Sequence, residues 1–547
     1  MTTPQNRSTS ADAADATHES AASSRPNNRP NESDPDDARA PLSDDLTATP
    51  ARRLRTPLVF VVVFAALVVS HLTLVNLPYF WDEAGYFIPA ARDIYADGSF
   101  VPHSTLSNAH PPLVMAYLAL AWKLFGFDVT VARVAMLAVS AFALTGLFRL
   151  AERVQNARVA VATLLCTAAY PVFFAQSSLA HLDMMVAALT FWALVFYFPV
   201  RDGVVTTRRR AACVALLALA ALAKETALLV PLTLCAWELL CHVARGREKV
   251  AALVCVERVR RSVWWSLSLL LACLPLALWF AYHRAKTGYT FGNPEYFRYN
   301  VESTLNLSRM LEALWGRLKH VTFHMNLWVL TLAGIAAMFL KPKRDGARAR
   351  DRVDARVQLV FLVLVVAHVF ALSIVGGAVL ARYMLPVVPL VILVWVSTLW
   401  RRAPAWPLAV ALVCAAFAYR CVVNPSYSFP WEENLAYRDF VVLHRDAARF
   451  LSDNYPNARV LTSWPATDEL RNTYYGYTSR ALAVVPLESL KREDLDAAAA
   501  RRAEYDVALL YSTHGGLSLE EAAQLLNARV VFQEWMKGQW VAVVIKQ

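Results

Sequence analysis

The sequence predicts a polytopic α-helical membrane protein with a small α/β domain at its C-terminal end. Of its 547 residues, 57% are hydrophobic and only 18% are charged, mean hydropathy is +0.36, and many apolar runs are long enough to cross a bilayer. The Lys and Arg clusters lie in short loops between these runs, as in cytoplasmic loops. From Asn424 onward the chain becomes more polar and contains short β-like segments. These three observations predict the fold class.

Three parts are expected along the chain. Residues 1–52 are rich in Ser, Asp, Asn, Pro and Ala and have almost no large apolar residues, which predicts a disordered cytoplasmic tail. Residues 53–423 form the membrane domain. Residues 424–547 form the α/β domain, which we expect on the periplasmic side of the cytoplasmic (inner) membrane.

About eleven transmembrane helices are predicted. With the tail inside, the basic loops alternate to the cytoplasmic side throughout. The predicted spans are 57–77, 130–150, 158–176, 182–200, 209–224, 226–243, 262–283, 321–340, 357–377, 383–400 and 404–422.

Two places decide this alternation. Pro111 to Gly126 is apolar but only about 16 residues long, which favours an interfacial or re-entrant helix. If that segment did span, the alternation would fail after it, and the span count could reach 13. The weak spans 209–224 and 226–243 are interpreted as a tight hairpin that places Lys224 at the outer surface.

The C-terminal region should contain five strands and two helices. Ser518, with Glu521 three residues later, is the N-cap pattern of the second helix. The strands are expected at Arg459–Trp464, Arg480–Val485, Asp506–Tyr511, Val530–Trp535 and Trp540–Ile545, and the helices at Ser489–Ala503 and Ser518–Asn527.

The net charge of +11 does not indicate a nucleic-acid partner. The basic excess lies in the short loops between apolar runs, where the positive-inside rule accounts for it. The expected surroundings are membrane lipids.

Two adjacent carboxylates, Asp82 and Glu83, follow the first span and lie among aromatic residues that favour the membrane interface. A carboxylate partly desolvated there can act as a general base toward a hydroxyl or amine. Neighbouring side chains in a strand or loop point to different sides, so only one need react. The alternative is a pair of acidic residues at a helix N-terminus.

Four motifs together resemble a known family. They are Trp81-Asp82-Glu83-Ala84 with Asn108-Ala109-His110-Pro111-Pro112, then Ala180-His181-Leu182-Asp183, Ala223-Lys224-Glu225 and Ala381-Arg382-Tyr383. This order is similar to the protein-O-mannosyltransferase-like superfamily of GT-C glycosyltransferases, which includes the lipid A aminoarabinose transferases.

The resemblance implies transfer of a sugar from a polyprenyl-phosphate donor to a lipid, glycan or protein acceptor outside the membrane. Asp82 would be the base of an inverting reaction, with Glu83 as its neighbour in the catalytic motif. Lys224, Arg382 and Tyr383 would bind the donor phosphate, although snorkelling is the alternative for the two basic residues. The three side chains expected to orient the substrate are His110, His181 and Asp183.

No cofactor is certain, although a divalent metal ion is possible. Some relatives have an acidic residue where this chain has Ala109-His110-Pro111, and there the acid helps to bind a metal, so that ligand is not carried over. His320 and His324 are four residues apart and can share a helix face, but the sequence shows no third ligand.

A transporter or cell-envelope assembly protein is the alternative function. Transporters usually place ionisable groups near the bilayer midplane, on broken helices in paired halves. Here the ionisable motifs fall at one predicted surface and no halved repeat is evident, which favours the glycosyltransferase.

Overall fold

Apolar helices make up most of the chain before residue 423. The computed structural model describes residues 50–199, 205–244, 263–513 and 515–547, so residues 1–49 of the predicted tail lie outside the described residues. The first nine helices are α1 Pro50–Ser70, α2 Ile88–Asp97, α3 Leu113–Phe125, α4 Val129–Val154, α5 Ala157–Ala169, α6 Pro171–Gln176, α7 Leu182–Tyr197, α8 Thr207–Ala223 and α9 Leu229–Ala244. The next eight are α10 Val263–Ser268, α11 Leu274–Thr287, α12 Pro294–Asn300, α13 Leu307–Thr322, α14 Leu327–Met338, α15 Ala355–Ile374, α16 Val388–Arg402 and α17 Trp406–Val422.

The chain is a multi-pass membrane protein. Among the described residues, five helical segments are long and apolar enough to cross a bilayer: Val129–Val154, Glu225–Val243, Val263–Thr287, Leu307–Met338 and Ala355–Ile374. Shorter apolar helices lie at Thr56–Ser70, Leu113–Phe125, Ala157–Ala169, Leu182–Tyr197 and Trp406–Val422. Each of the eleven predicted spans overlaps a helix of the structure.

The apolar segment Pro111–Gly126 forms only the helix α3. This helix has 13 residues, which at 1.5 Å per residue is about 20 Å, well short of the ~30 Å hydrocarbon core. Gly126 ends it, with a positive φ of 96° that a residue with a Cβ rarely adopts. The segment is therefore too short to span as a straight helix.

The C-terminal region is built around a mixed five-stranded sheet. Its strand order is β4-β3-β5-β7-β6, with β3 parallel to β4 and β5, and β7 antiparallel to β5 and β6. The strands of this sheet are β3 Arg459–Ser463, β4 Ala483–Leu487, β5 Val507–Tyr511, β6 Ala528–Met536 and β7 Gln539–Lys546. Two further strands of two residues each, β1 Arg344–Asp345 and β2 Arg348–Ala349, pair antiparallel as a separate hairpin.

The predicted strands and helices of this region match the structure closely. Helix α20 (Arg492–Ala500) and helix α21 (Leu519–Leu525) lie within the two predicted helices, and Ser518 and Glu521 form the expected capping box. The prediction missed α18 (Ala436–Asn454), a 19-residue amphipathic helix, and the short α19 (Ala466–Arg471).

Residues Leu54–Gln547 form one compact unit, so the C-terminal region packs directly on the helical part. The backbone N–H of Tyr79 donates to the carbonyl of Tyr475 at 3.1 Å. The Tyr475 and Tyr477 hydroxyls donate back to the carbonyls of Ala84 and Tyr79 at 2.7 and 3.0 Å. The C-terminal region therefore holds the loop that follows α1.

The basic-loop pattern and the exposed positions of the fold generate a topology prediction. In a cysteine-free background, His103→Cys and Ser479→Cys should react with a membrane-impermeant maleimide in intact spheroplasts. Thr206→Cys and Arg348→Cys should react only after the membrane is permeabilised, because the predicted cytoplasmic loops carry them. Labelling in the reverse order would contradict the orientation.

Candidate active site

A large cavity of about 1340 Å³ is the centre of the candidate site. It lies between the loops after α1, α8, α15 and α17 and the C-terminal region. Its polar wall contains Asp82, His110, Lys224, Glu225, Arg382, Tyr383 and Glu432. Its apolar wall contains Leu228, Leu229, Phe280, Phe291, Phe297, Leu372 and Val375.

The two adjacent carboxylates of the first motif face opposite ways. The Asp82 side chain is 37% exposed, lines the cavity and pairs with the Arg382 guanidinium. The Glu83 side chain is completely buried and does not line the cavity. Of the two residues predicted to be catalytic, only Asp82 is therefore accessible to a substrate.

Glu83 holds the loop together instead. Its carboxylate pairs with Arg133 of α4 at 2.5 Å and accepts backbone N–H groups from Phe80 at 2.8 Å and Ala180 at 2.5 Å. Arg133 also donates to the carbonyl of Pro78 at 2.8 Å. Glu83 therefore links three segments around the cavity. Both of its carboxylate oxygens are buried and hydrogen-bonded, so neither is available for chemistry.

Arg382 is the cation that connects most of the predicted motifs. Its buried guanidinium pairs with Asp82 and donates from one Nη to Glu432 at 3.0 Å. Its Nε lies 3.5 Å from the Asp183 carboxylate. Burial alone would lower the pKa of Arg382, but the carboxylates of Glu432 and Asp82 raise this pKa well above its ordinary value.

Lys224 is the second cation, and it is paired too. Its Nζ donates to Asp183 at 2.7 Å and lies 3.8 Å from the centre of the Tyr383 ring. The Arg382 and Arg317 guanidiniums lie 5.6 and 5.3 Å from that same ring. Tyr383 thus provides an aromatic face shared by three cations.

His181 and Asp183 were predicted to orient the substrate, but they lie behind the cavity wall. Both are buried and neither lines the cavity. Asp183 bonds to Lys224, and the His181 Nδ1 lies 2.8 Å from an Arg382 Nη and 2.7 Å from the Gln176 amide oxygen. Residues behind the wall cannot touch a substrate in the cavity. His181 and Asp183 instead contact Arg382 and Lys224 and hold these two cations in position.

The His181 imidazole is neutral in this setting. Burial and the adjacent Arg382 lower the pKa of His181 well below its ordinary value. Its Nδ1 can either accept from Arg382 or donate to Gln176, but it cannot do both at once. Its Nε2 is buried and has no hydrogen-bond partner among the described residues.

His110, which was also predicted to orient the substrate, lies in the cavity wall. Its Nδ1 is 3.2 Å from the Glu225 carboxylate, and its Nε2 is 3.4 Å from the Tyr296 hydroxyl. The preceding residue, Ala109, has a positive φ of 56°, and its carbonyl accepts a 2.9 Å hydrogen bond from Trp279. Left-handed backbone at a non-glycine residue costs about 1–3 kcal/mol and is typical of functional loops.

Glu432 is the site residue that the sequence did not reveal. It lies in the one-turn helix Trp431–Glu433, after the last apolar helix. Burial raises the pKa of the Glu432 carboxyl to about 8, with Arg382 opposing the rise and Asp82 adding to it. Only the folded structure shows that Glu432 lies beside Arg382, the basic residue of the fourth motif.

The C-terminal region closes the cavity with Trp464. The Trp464 ring packs edge to face on Trp81, with centroids 4.9 Å apart, and it also lies against Gly85. A Cβ built on Gly85 would meet the ring at 3.0 Å. Trp81 itself has a positive φ of 46°, so this packing fixes the backbone just before Asp82.

Two groups of described side chains bring possible metal ligands within 4.8 Å of one another. The first is Asp82, His181 and Glu432. Each of these three contacts Arg382, which already supplies a positive charge and disfavours a second cation there. The second group is His320, His324 and Glu433, so the structure supplies the third ligand that the sequence did not show.

Comparison with known proteins agrees with this architecture. Residues 109–279 match a family model described as dolichyl-phosphate-mannose-protein mannosyltransferase. The matched segment includes His110, His181, Asp183 and Lys224. No curated protein sequence matches the chain at a significant level.

Several solved structures are similar over most of the chain. ArnT from Cupriavidus metallidurans in the apo state is 16% identical, with 90% of this chain and 98% of that chain covered and a TM-score of 0.50. The same protein bound to undecaprenyl phosphate is 15% identical, with coverages of 91% and 98% and a TM-score of 0.49. The Archaeoglobus fulgidus oligosaccharyltransferase in complex with Zn and sulfate is 14% identical, with coverages of 82% and 67% and a TM-score of 0.43.

The chain therefore has the fold of ArnT, and the match of residues 109–279 to a mannosyltransferase family model agrees with the expected glycosyltransferase activity.

The buried pair of Glu83 and Arg133 generates a stability prediction. Glu83→Ala should lower the free energy of unfolding by about 3–5 kcal/mol, because it leaves the Arg133 charge buried without its partner. Asp82→Ala is the matched control and should change stability much less, because its carboxylate is partly exposed. Thermal unfolding in detergent, followed by a thiol-reactive or tryptophan signal, measures both. Equal losses in the two variants would contradict the assigned roles.

Proposed function

We propose that the protein transfers a sugar from a polyprenyl-phosphate donor to an acceptor at the outer face of the cytoplasmic membrane, with inversion and with Asp82 as the general base. The observation that supports this most is the composition of the cavity. One wall joins accessible Asp82 to the cations Arg382 and Lys224, and the other is apolar. A sugar linked through phosphate to an isoprenoid chain needs both kinds of wall.

The apolar wall suits the isoprenoid part of the donor. It is formed by leucine, valine and phenylalanine side chains, including Leu229 of α9 and Leu372 of α15, which belong to two of the segments long enough to cross a bilayer. Burying such a chain is favourable by roughly 0.8 kcal/mol for each CH₂ group. The matched family model also describes enzymes that use a dolichyl-phosphate-linked sugar, which is chemically of this donor class.

The cations suit the phosphate part. As the glycosidic bond breaks, its electron pair goes to the phosphate oxygen, and fixed positive charges stabilise the phosphate as it leaves. Arg382 and Lys224 are buried and paired with carboxylates, so their charges keep fixed positions in the cavity wall. The Tyr383 ring fixes the Lys224 ammonium over its face.

Asp82 suits the base. Its carboxylate takes the proton of an acceptor hydroxyl or amine while the acceptor atom attacks the anomeric carbon from the side opposite the phosphate. Without donor, Asp82 pairs with Arg382. The donor phosphate competes with Asp82 for this cation. Donor binding therefore frees the Asp82 carboxylate from Arg382 and makes it available to the acceptor.

Asp82→Asn tests the proposed base. The variant should lower transfer from a radiolabelled polyprenyl-phosphate sugar by at least about 10²-fold, because the amide cannot accept the proton. Expression and membrane insertion should be unchanged. Asp97→Asn is the matched control, because Asp97 is an exposed carboxylate at the end of α2 and lies outside the cavity. Retained transfer by Asp82→Asn would remove the base and with it the mechanism.

Glu432 generates a pH prediction. Protonated Glu432 leaves the Arg382 charge available to the donor phosphate, and ionised Glu432 competes for it. Because its pKa is about 8, the kcat/KM for the donor should fall as the pH rises through about 8. Glu432→Gln should remove that decline, since an amide does not ionise. A decline that persists in Glu432→Gln would assign it to another group.

A further inference from the structure

We propose that His320, His324 and Glu433 form a binding site for a divalent transition metal ion, with Zn²⁺ as the ion that the ligands fit. This site is separate from the cation–carboxylate cluster of the cavity, because none of its three residues lines the cavity. It goes beyond the transfer reaction and does not depend on the identity of donor or acceptor.

The three ligands are brought together by tertiary structure. His320 lies in the last turn of α13, His324 follows the end of that helix, and Glu433 lies in the turn Trp431–Glu433, more than a hundred residues later. The two imidazole rings meet edge to face with centroids 5.0 Å apart. All three side chains are buried, with exposures of 6%, 5% and 0%.

The backbone is bent to make this arrangement. Met325 and Asn326 have positive φ angles of 50° and 66°, which breaks the helix between α13 and α14. The break is held because the Met325 N–H donates to the Tyr427 hydroxyl at 3.2 Å and the Asn326 amide donates to the Ala416 carbonyl at 2.9 Å. Two consecutive left-handed residues are costly, so they indicate a local function.

The neighbouring hydrogen bonds orient the ligands toward one another. The Glu433 carboxylate accepts the Ala381 N–H with Oε1 at 2.5 Å, which leaves Oε2 at 2.6 Å from the His324 Nε2. The other ring nitrogen of His324 lies 3.1 Å from the Tyr427 hydroxyl. A metal-bound histidine typically donates its second N–H to such a partner.

His320 provides the independent sign of a missing partner. Its Nδ1 is buried and has no hydrogen-bond partner among the described residues. A buried polar atom without a partner costs about 1–3 kcal/mol. A metal ion bound between His320 and the His324–Glu433 pair would satisfy it.

Two imidazoles and one carboxylate are a typical ligand set for Zn²⁺ with one open position. Zn–N and Zn–O bonds are about 2.0–2.2 Å long, so the His324 Nε2 and the Glu433 Oε2, now 2.6 Å apart, would move apart to admit the ion between them. The nearby cation Arg317 does not occupy the site, since its guanidinium donates to the carbonyls of Leu380 and Ala378 at 2.5 and 3.1 Å.

From outside the cavity, the ion would stabilise the segments that form the cavity wall. It would tie the break after α13 to the turn that carries Glu432, and Glu433 also bonds to the residue before Arg382. Both members of the Glu432–Arg382 pair are therefore one residue from a group that the ion fixes.

Metal content of the purified full-length protein tests the site. After chelation and incubation with Zn²⁺, the wild-type protein should retain about one tightly bound ion per chain by mass spectrometry. His320→Ala should weaken Zn²⁺ binding at least about 10–100-fold, as titration calorimetry measures. Zn²⁺ should also raise the unfolding temperature of the wild type and not of His320→Ala.

Three controls make the result specific. His320→Cys should retain Zn²⁺, because a thiolate is also a ligand, and His368→Ala should retain it, because His368 is a buried histidine with only a backbone partner. Asp82→Asn should retain it as well. Absence of tightly bound Zn²⁺, or its loss in Asp82→Asn together with retention in His320→Ala, would overturn the proposal.

Discussion

The candidate site depends on a single buried guanidinium. Arg382 pairs with Asp82 from the loop after α1 and Glu432 from the turn after α17, and it lies near Asp183 at the start of α7. Asp82 and Glu432 lie 300 and 50 residues from Arg382 in the sequence, and the buried charge can be tolerated only while its partners surround it. The network therefore constrains the relative positions of the segments that carry these residues. It also explains why a cation expected at a span end is buried in the cavity wall and does not extend toward bulk solvent.

Asp82 and Glu83 show how one backbone turn separates chemistry from structure. Trp81 has a left-handed backbone and Glu83 begins a short π-helical turn, so the two carboxylates point in different directions. The Glu83 carboxylate is fully occupied by its ion pair with Arg133 and by two backbone N–H groups, whereas Asp82 remains at the cavity surface. The C-terminal region contributes to this separation, because Trp464 packs on Trp81 and Tyr475 bonds to Ala84. It is thus part of the site wall as well as a support for the loop.

The sequence predicted what depends on local pattern. The apolar runs located the helices, the strand-like segments located all five strands of the sheet, and the motifs located Asp82, His110, Lys224 and Arg382 in the cavity wall. It could not assign burial to neighbouring polar residues. Glu83 was therefore predicted to be catalytic, and His181 and Asp183 to orient the substrate, although all three lie behind the wall. It also missed Glu432, Glu433 and Trp464, because each acts on residues far away in the sequence. The amphipathic helix α18 was the one omission that periodicity could have corrected.

The charge balance of the cluster indicates how a donor can enter it. Asp82, Asp183 and Glu432 face Lys224 and Arg382, and His181 is neutral because burial lowers its pKa. With Glu432 protonated below its pKa of about 8, two carboxylates balance two cations and the cluster carries no net charge. A phosphate diester brings one negative charge, so it must replace a carboxylate as the partner of a cation. Asp183 is buried behind Lys224 and cannot leave, whereas Asp82 is partly exposed and turned toward the cavity. Replacement at Arg382 therefore releases the one carboxylate that can reach an acceptor, which couples donor binding to the availability of the base.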